Sequence, residues 1–503
     1  MILGTPFTDH AVVQRGEPLR VWGWAEPGEE VRVRFGADAA SAVAGPDGRF
    51  DAELPPPEAS AQGRVLAVEG RASVEVRGVV VGEVWLCSGQ SNMGWRVEES
   101  APEERAAAAA LPPDPLLRHL ATPMVGGLEP ARRVDAPWEP ATPEASPAFQ
   151  AVPYWFGVQR RRATGLPVGV ACATWGASRI QSWLPPGRLE ASGHLGFLKE
   201  QRLERVERWL LGFQAWERAG AQPPGGWPPA WEVGSQQALS QCRFCLSGPL
   251  MPMALAGVLW YQGESDPDLA DRYADLFAEL VADWREGFAL PGLPVRVVQL
   301  PEYAPGGEGW ARVREAQEAA GRIPGVEVLC AMGLGTPDDV HPPRKRELAG
   351  RLAESVGDPA GASGPRALSA EPDPGRPGAV IVRFDRPLRV AGGGGGARGA
   401  GEGGASEASG GSGGRGVRGF ELVDAAGVAH AAAAALVGED AVRVSGDPGV
   451  VPAEVRHAWA GAPEVTLTDA RGRCAWPSRL RVPSSRGASG ASSERSASAP
   501  PAG

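Results

Sequence analysis

Ser91 stands where an apolar run breaks. Val84-Trp85-Leu86-Cys87-Ser88 leads into Gly89-Gln90-Ser91-Asn92-Met93. This is the pattern of a buried strand that ends in a tight turn and lifts a hydroxyl to its carboxyl end. In open α/β sheets that end is where ligands bind, and a serine there is a nucleophile if a base reaches it. The usual base is histidine, and the chain has six: His10, His119, His194, His341, His430 and His457. His10, His430 and His457 fall in β-rich flanks, and His119 and His194 have no carboxylate near them on a strand end. His341 follows the strand candidate Val326–Met332 by one short loop and precedes a helical pattern, with Asp338 and Asp339 just before it. A carboxylate so placed can fold back onto the imidazole and hold its tautomer, which also raises the histidine pKa.

Acyl transfer further requires hydrogen-bond donors for the oxyanion. Two other strand ends offer them. Val168–Thr174 runs into Trp175-Gly176-Ala177-Ser178, where Gly176 presents a backbone N–H. Gly257–Tyr261 runs into Gln262-Gly263-Glu264-Ser265-Asp266, where Gln262 carries a side-chain amide. Each of these stretches alone is more typical of packing than of chemistry. Together they place polar groups at successive carboxyl ends of one sheet.

The elements that must position them follow from periodicity. Residues 1–80 alternate in short runs such as Leu19–Trp24 and Val31–Phe35, separated by Pro-Gly and Pro-Asp-Gly turns, and predict a small β-sandwich. Residues 81–357 alternate strand and helix, which implies a parallel sheet with helices on both faces. The helix candidates are Leu269–Phe288, with Asp266-Pro267-Asp268 as its cap, a helix over 344–354, and Phe197–Arg218 in an insertion. Residues 358–483 return to β structure. The insert Gly392–Gly416 and the tail 484–503 are low in apolar residues and read as disordered.

Composition narrows the classes. At 503 residues the chain is too long for one core. A net charge of −10 argues against nucleic-acid partners, which leave a basic footprint. No stretch approaches the ~20 apolar residues of a membrane span. No signal peptide is visible, so the expected compartment is the cytoplasm. The six cysteines are scattered and read as reduced thiols, and the lone Cys242-Arg243-Phe244-Cys245 pair has no second pair to make a metal site.

Gly89-Gln90-Ser91-Asn92-Met93, Trp260-Tyr261-Gln262-Gly263-Glu264-Ser265 and Asp339-Val340-His341-Pro342 with Lys345 resemble, in this order, the motifs of the sialate O-acetylesterase family of SGNH hydrolases. The similarity extends from Asp9–Arg15 to Trp459 and omits the Gly-rich insert and the tail. It implies an SGNH-type, flavodoxin-like three-layer hydrolase domain flanked by N-terminal and C-terminal β-sandwich regions. It implies Ser91 as nucleophile, His341 as base, and Gly176 and Gln262 as oxyanion donors beside the Ser91 N–H. The family pattern puts the acid three residues before the histidine, favouring Asp338, with Asp339 the alternative. Ala177 departs from the usual Trp-Gly-Gly, and Gln262 replaces the more usual Asn. The reaction implied is hydrolysis of O-acetyl esters of sugars, foremost O-acetylated sialic acid, with no metal or cofactor. The rivals are an acetylxylan or other polysaccharide acetyl esterase, and a glycan-binding protein on an inactive scaffold. Arg96 and Arg179 are the nearby candidates for binding a substrate carboxylate.

Overall fold

The computed structural model describes residues 1–127, 129–218, 235–391 and 416–483. The tail and the insert, Gly416 excepted, lie outside the described residues. The chain divides into two compact units, Met1–Ser363 and Gly364–Gly503.

The first unit is organised by one 17-residue strand, β1 (Ser73–Gly89). Its first half pairs antiparallel with Ser60–Glu69, whose other neighbour is Glu30–Phe35. Its second half is the centre of a parallel sheet. The boundary read from the sequence at residue 80 therefore falls inside a continuous strand, and the N-terminal β region shares a sheet with the region that follows. Burial explains the strand: from Val79 to Gln90 every residue is buried, as expected of a strand covered on both faces.

The remaining strands of the parallel region are β2 (Asp114–Ala121), β3 (Trp138–Ala141), β4 (Val168–Thr174), β5 (Gly257–Tyr261), β6 (Val295–Val298) and β7 (Val326–Leu329). Their order across the sheet is β3-β2-β4-β1-β5-β6-β7, with only β3 antiparallel to its neighbour. The chain leaves β1 toward one edge through β2 and β4, then crosses to the other side for β5, β6 and β7. Right-handed crossovers in opposite directions put helices on opposite faces, and β1 lies at the resulting switch point. One pair of helices, α1 (Ala151–Thr164) and α4 (Lys345–Ser355), packs together, and α2 (Ala270–Gly287) packs with α3 (Gly307–Ala320).

Helix α2 matches the sequence expectation to within a residue at each end. Its expected cap does not: no side chain caps it, and the Asp266 carboxylate is buried and used elsewhere. The insertion helix runs over Leu195–Arg218. The second unit holds two four-stranded antiparallel sheets. Val380, Val382, Leu422, Val442, Val444 and Val455, drawn from both sheets, form one core.

The end of β1 permits only glycine. Gly89 has φ 140°, and a Cβ there would lie 2.0 Å from the Tyr261 carbonyl oxygen. Gly89→Ala should therefore lower stability by at least about 3 kcal/mol, since backbone strain and overpacking add. Denaturant unfolding measures this, and a loss under about 1 kcal/mol would show that the turn relaxes freely.

Candidate active site

Three strand ends are laced together around Ser91. The Gln90 N–H donates to Tyr261 O at the end of β5 (3.1 Å), and the Trp175 N–H after β4 donates to Gly89 O (3.1 Å). Ser91 is thereby the first residue of a four-residue helical turn, Ser91–Gly94. A first-turn N–H has no partner within its own helix. Gly176 lies against the nucleophile, since a Cβ built on it would be 3.5 Å from Ser91 Cβ. Among the described residues, neither the Ser91 nor the Gly176 N–H has a backbone acceptor.

His341 arrives from the loop after β7. Its Nε2 is 2.7 Å from Ser91 Oγ, and its ring stacks on Trp95 with centroids 4.8 Å apart and 24° between planes. Burial holds the imidazole pKa below its usual value, helped by the Lys345 ammonium and opposed by Asp339 and Glu99. The expected upward shift from a paired carboxylate is not what the site produces, because desolvation and a nearby cation outweigh the acids.

The carboxylates sit differently from the sequence expectation. Asp338 is exposed, and no hydrogen bond joins it to the ring among the described residues. Asp339 is also exposed, and its Oδ1 accepts the backbone N–H of His341 (2.8 Å), so it folds the loop rather than gripping the imidazole. Gln262 departs as well. It is fully buried, and its amide nitrogen donates to Ser178 O (3.0 Å) and Asp266 Oδ2 (2.6 Å) while its oxygen accepts from the Tyr273 hydroxyl (3.0 Å). Both amide hydrogens are engaged, so none is left for an oxyanion. The cause is Asp266, a buried carboxylate four residues on that needs donors.

The same carboxylate accounts for Arg179. Its guanidinium is buried, with Nε donating to Asp266 Oδ1 (3.1 Å) and Nη2 to Asp268, and it is not free for a ligand. Arg96 is exposed beside Trp95; its side chain donates to Glu98 (3.2 Å) and its backbone N–H to Glu99 (2.7 Å).

Sequence reasoning assigned no role to Asn92, inside its own motif, or to Trp95, just beyond it. Asn92 is wholly buried and joins Glu264, Val340 and Lys345 by hydrogen bonds. Trp95 forms the platform under His341. The signal was adjacency to Ser91 and His341, which states nearness but not partners. Among the described residues, no group of three or more His, Cys, Asp or Glu is placed to hold a metal ion.

Known proteins are similar to this chain. Residues 231–357 match the family model described as carbohydrate esterase, sialic acid-specific acetylesterase. The sialate O-acetylesterases of Mus musculus and Homo sapiens are each 26% identical over 386 residues, 69% of this chain and 71% and 68% of theirs. The crystal structure of a carbohydrate acetylesterase from Xanthomonas citri superposes with a TM-score of 0.76 at 28% identity, covering 95% of this chain and 99% of that one. The chain is similar to the sialate O-acetylesterase family of carbohydrate esterases. The protein is an ester hydrolase on this similarity, which agrees with a serine and a histidine meeting at the switch point of the sheet.

The two loop acids separate by kinetics. Loss of a carboxylate that orients the imidazole costs about 10⁴ in kcat, whereas exposed charges are worth under about 1 kcal/mol. Asp338→Asn should cost less than about fivefold by that measure. Asp339→Asn keeps an acceptor for the His341 N–H but removes a charge that raises the imidazole pKa. Its acidic limb in kcat/KM should move to lower pH. A collapse of kcat in Asp338→Asn would restore that residue to the imidazole.

Proposed function

We propose that this protein is a serine esterase that removes O-acetyl groups from sugars through an acetyl-enzyme, with O-acetylated sialic acid as its main substrate. The observation that carries the reading is the 2.7 Å contact between His341 Nε2 and Ser91 Oγ at the switch point of the parallel sheet. Ser91 Oγ attacks the acetyl carbonyl while His341 Nε2 takes its proton. The N–H groups of Ser91 and Gly176 receive the oxyanion. His341 gives the proton to the departing sugar oxygen as its bond to the acetyl carbon breaks, leaving an acetyl ester on Ser91 Oγ. It then takes a proton from water as water attacks that ester, and returns it to Ser91 Oγ as the bond to the acetyl carbon breaks and acetate departs. An imidazole pKa held below its ordinary value keeps the ring in its basic form at neutral pH.

The sialate reading draws on the names of the relatives and on Arg96, an exposed cation next in sequence to Trp95, on which His341 stacks. A second reading, a neutral acetylated polysaccharide, is favoured by the acids Glu98 and Glu99 beside Trp95, and Asp338 and Asp339 in the His341 loop. In the wider reading, the parallel sheet and its helices form an SGNH-type hydrolase, and the N-terminal β region that shares strand β1 with it and the second unit are sandwich-type modules. The same reading includes a reducing, cytoplasmic setting, the expectation drawn from cysteines scattered through a large chain.

An acetate-release panel tests this. Wild-type protein should cleave an aryl acetate and O-acetylated sialic acid, and Ser91→Ala should release no acetate above background while remaining folded. Arg96→Ala should raise KM for the sialate by about tenfold, the value of one charge-assisted hydrogen bond. It should leave acetylated xylo-oligosaccharides unaffected. Preference for the neutral sugar with no effect of Arg96→Ala would select the second reading, and a wild type inert to every acetate would reduce the protein to a glycan binder.

A further inference from the structure

We propose that Glu264, Asn92 and Lys345 are positioning residues that align Ser91 with His341, the task usually done by a carboxylate bonded to the imidazole. This rests on the Ser91 esterase reading and concerns how that site is held.

The starting observation is that neither loop acid is bonded to the His341 ring among the described residues, whose fixed contacts are Ser91 and Trp95. Something else must set the distance between two residues 250 positions apart. Asn92, next in sequence to the nucleophile, reaches both sides of the gap. Its amide nitrogen donates to Glu264 Oε1 (2.7 Å) and to the carbonyl of Val340 (2.8 Å), the residue before His341. Its oxygen accepts from Lys345 Nζ (2.5 Å), four residues after His341. One buried amide thus ties the turn that bears Ser91 to the loop that bears His341 on either side of the ring. Every hydrogen-bonding site on that amide nitrogen is used.

Glu264 anchors the opposite side of the same turn. With its amide nitrogen facing inward, Gln90 donates to Glu264 Oε2 (3.1 Å) and to Ser178 O (3.2 Å). The residues immediately before and after Ser91 therefore hold the two oxygens of one carboxylate. Gly263, with φ 137°, makes the turn that brings Glu264 there from the end of β5.

Lys345 completes the device. It is 1% exposed, and its Nζ lies 5.8 Å from the Trp95 ring centroid and 5.9 Å from that of Tyr261. Its backbone N–H and that of Arg346 are accepted by the two oxygens of Glu104 (2.9 Å each), which fastens the start of α4. Trp95 is thus shared between the buried ammonium and the stacked imidazole. Burial lowers Lys345 to about 7 and raises Glu264 to about 7, each partly offset by the other's charge. The charged groups acting on Lys345 are Glu264, Asp339 and Glu104, and those acting on His341 are Lys345, Asp339 and Glu99.

A scaffold that merely kept the fold would leave the pH profile alone. Lys345 faces His341 as a cation in the acidic range and depresses its pKa, so its removal has a direction. Lys345→Met keeps the apolar stem and removes the charge. The acidic limb of kcat/KM for an aryl acetate should then move to higher pH, with kcat on the plateau reduced and KM little changed. Asn92→Ala should lower kcat by on the order of 10²-fold, the cost of a misplacement of about 1 Å, again with KM nearly constant. Both are measured beside wild type, with thermal unfolding as the check on folding. If Asn92→Ala does not fold, the limb of Lys345→Met decides. A folded Lys345→Met whose limb stays in place or moves to lower pH, in a series where wild type is active, overturns this inference alone. A wild type without esterase activity overturns the Ser91 reading itself.

Discussion

The position of Ser91 depends on how closely β1 and β5 approach at their carboxyl ends. Gly89 admits no side chain because the Tyr261 carbonyl occupies the space, and the hydrogen bonds from Gln90 to β5 and from Trp175 back to Gly89 lock that closeness. Without it the nucleophile would not face a loop arriving from β7 at the far edge of the sheet. The strand itself is held from behind. Its first half belongs to the N-terminal β region, so a shift along its axis would break antiparallel pairing there as well. A residue on a short turn is thereby referred to a strand of 17 residues.

Charge is arranged around this turn in two buried groups with different tasks. Arg179, Asp266 and Gln262 form a closed set in which the carboxylate is fully supplied with donors, including the Ile180 N–H (3.0 Å). Replacing one member would leave a buried charge without compensation, which costs more than the pair contributes. Glu264, Asn92 and Lys345 form an open chain that touches both catalytic elements. Burial raises its acid and lowers its base, each to about 7, so in the acidic range the Lys345 cation stands against an imidazole that must accept a proton.

Much of this was legible in residue order. The central strands, helix α2 and the meeting of Ser91 with His341 follow from apolar runs, three- and four-residue spacing and the rule that ligands bind at carboxyl ends of strands. What was not legible depended on satisfaction of polar groups in three dimensions. Strand β2 is interrupted in sequence by Arg118 and His119, yet it is interior because Arg118 donates to the carbonyls of His10, Ala11 and Gly78. Helix α1 contains Pro153 and Gly157. The proline falls in the first turn, where no N–H is needed, and the glycine makes room for Leu117, whose Cδ1 would be 2.4 Å from a Cβ. Helix α3 buries Arg314 and Gln317, which bond the carbonyls of Leu300 and Gln262. Gln262 has the right chemistry for an oxyanion donor, but its hydrogens go to Ser178 and Asp266. No spacing rule shows where a donor points when a competing acceptor is buried beside it.

The central claim is that the acetyl group passes through Ser91. The direct measurement is to mix wild-type protein with an aryl acetate, quench in acid within the first turnover and map the bound acetyl group by peptide mass spectrometry. A single acetyl group on Ser91, appearing with a burst of the aryl alcohol, is the expected result. Acetate release with Ser91 unmodified and without a burst would contradict it, and an acetyl group on another residue would place the nucleophile elsewhere.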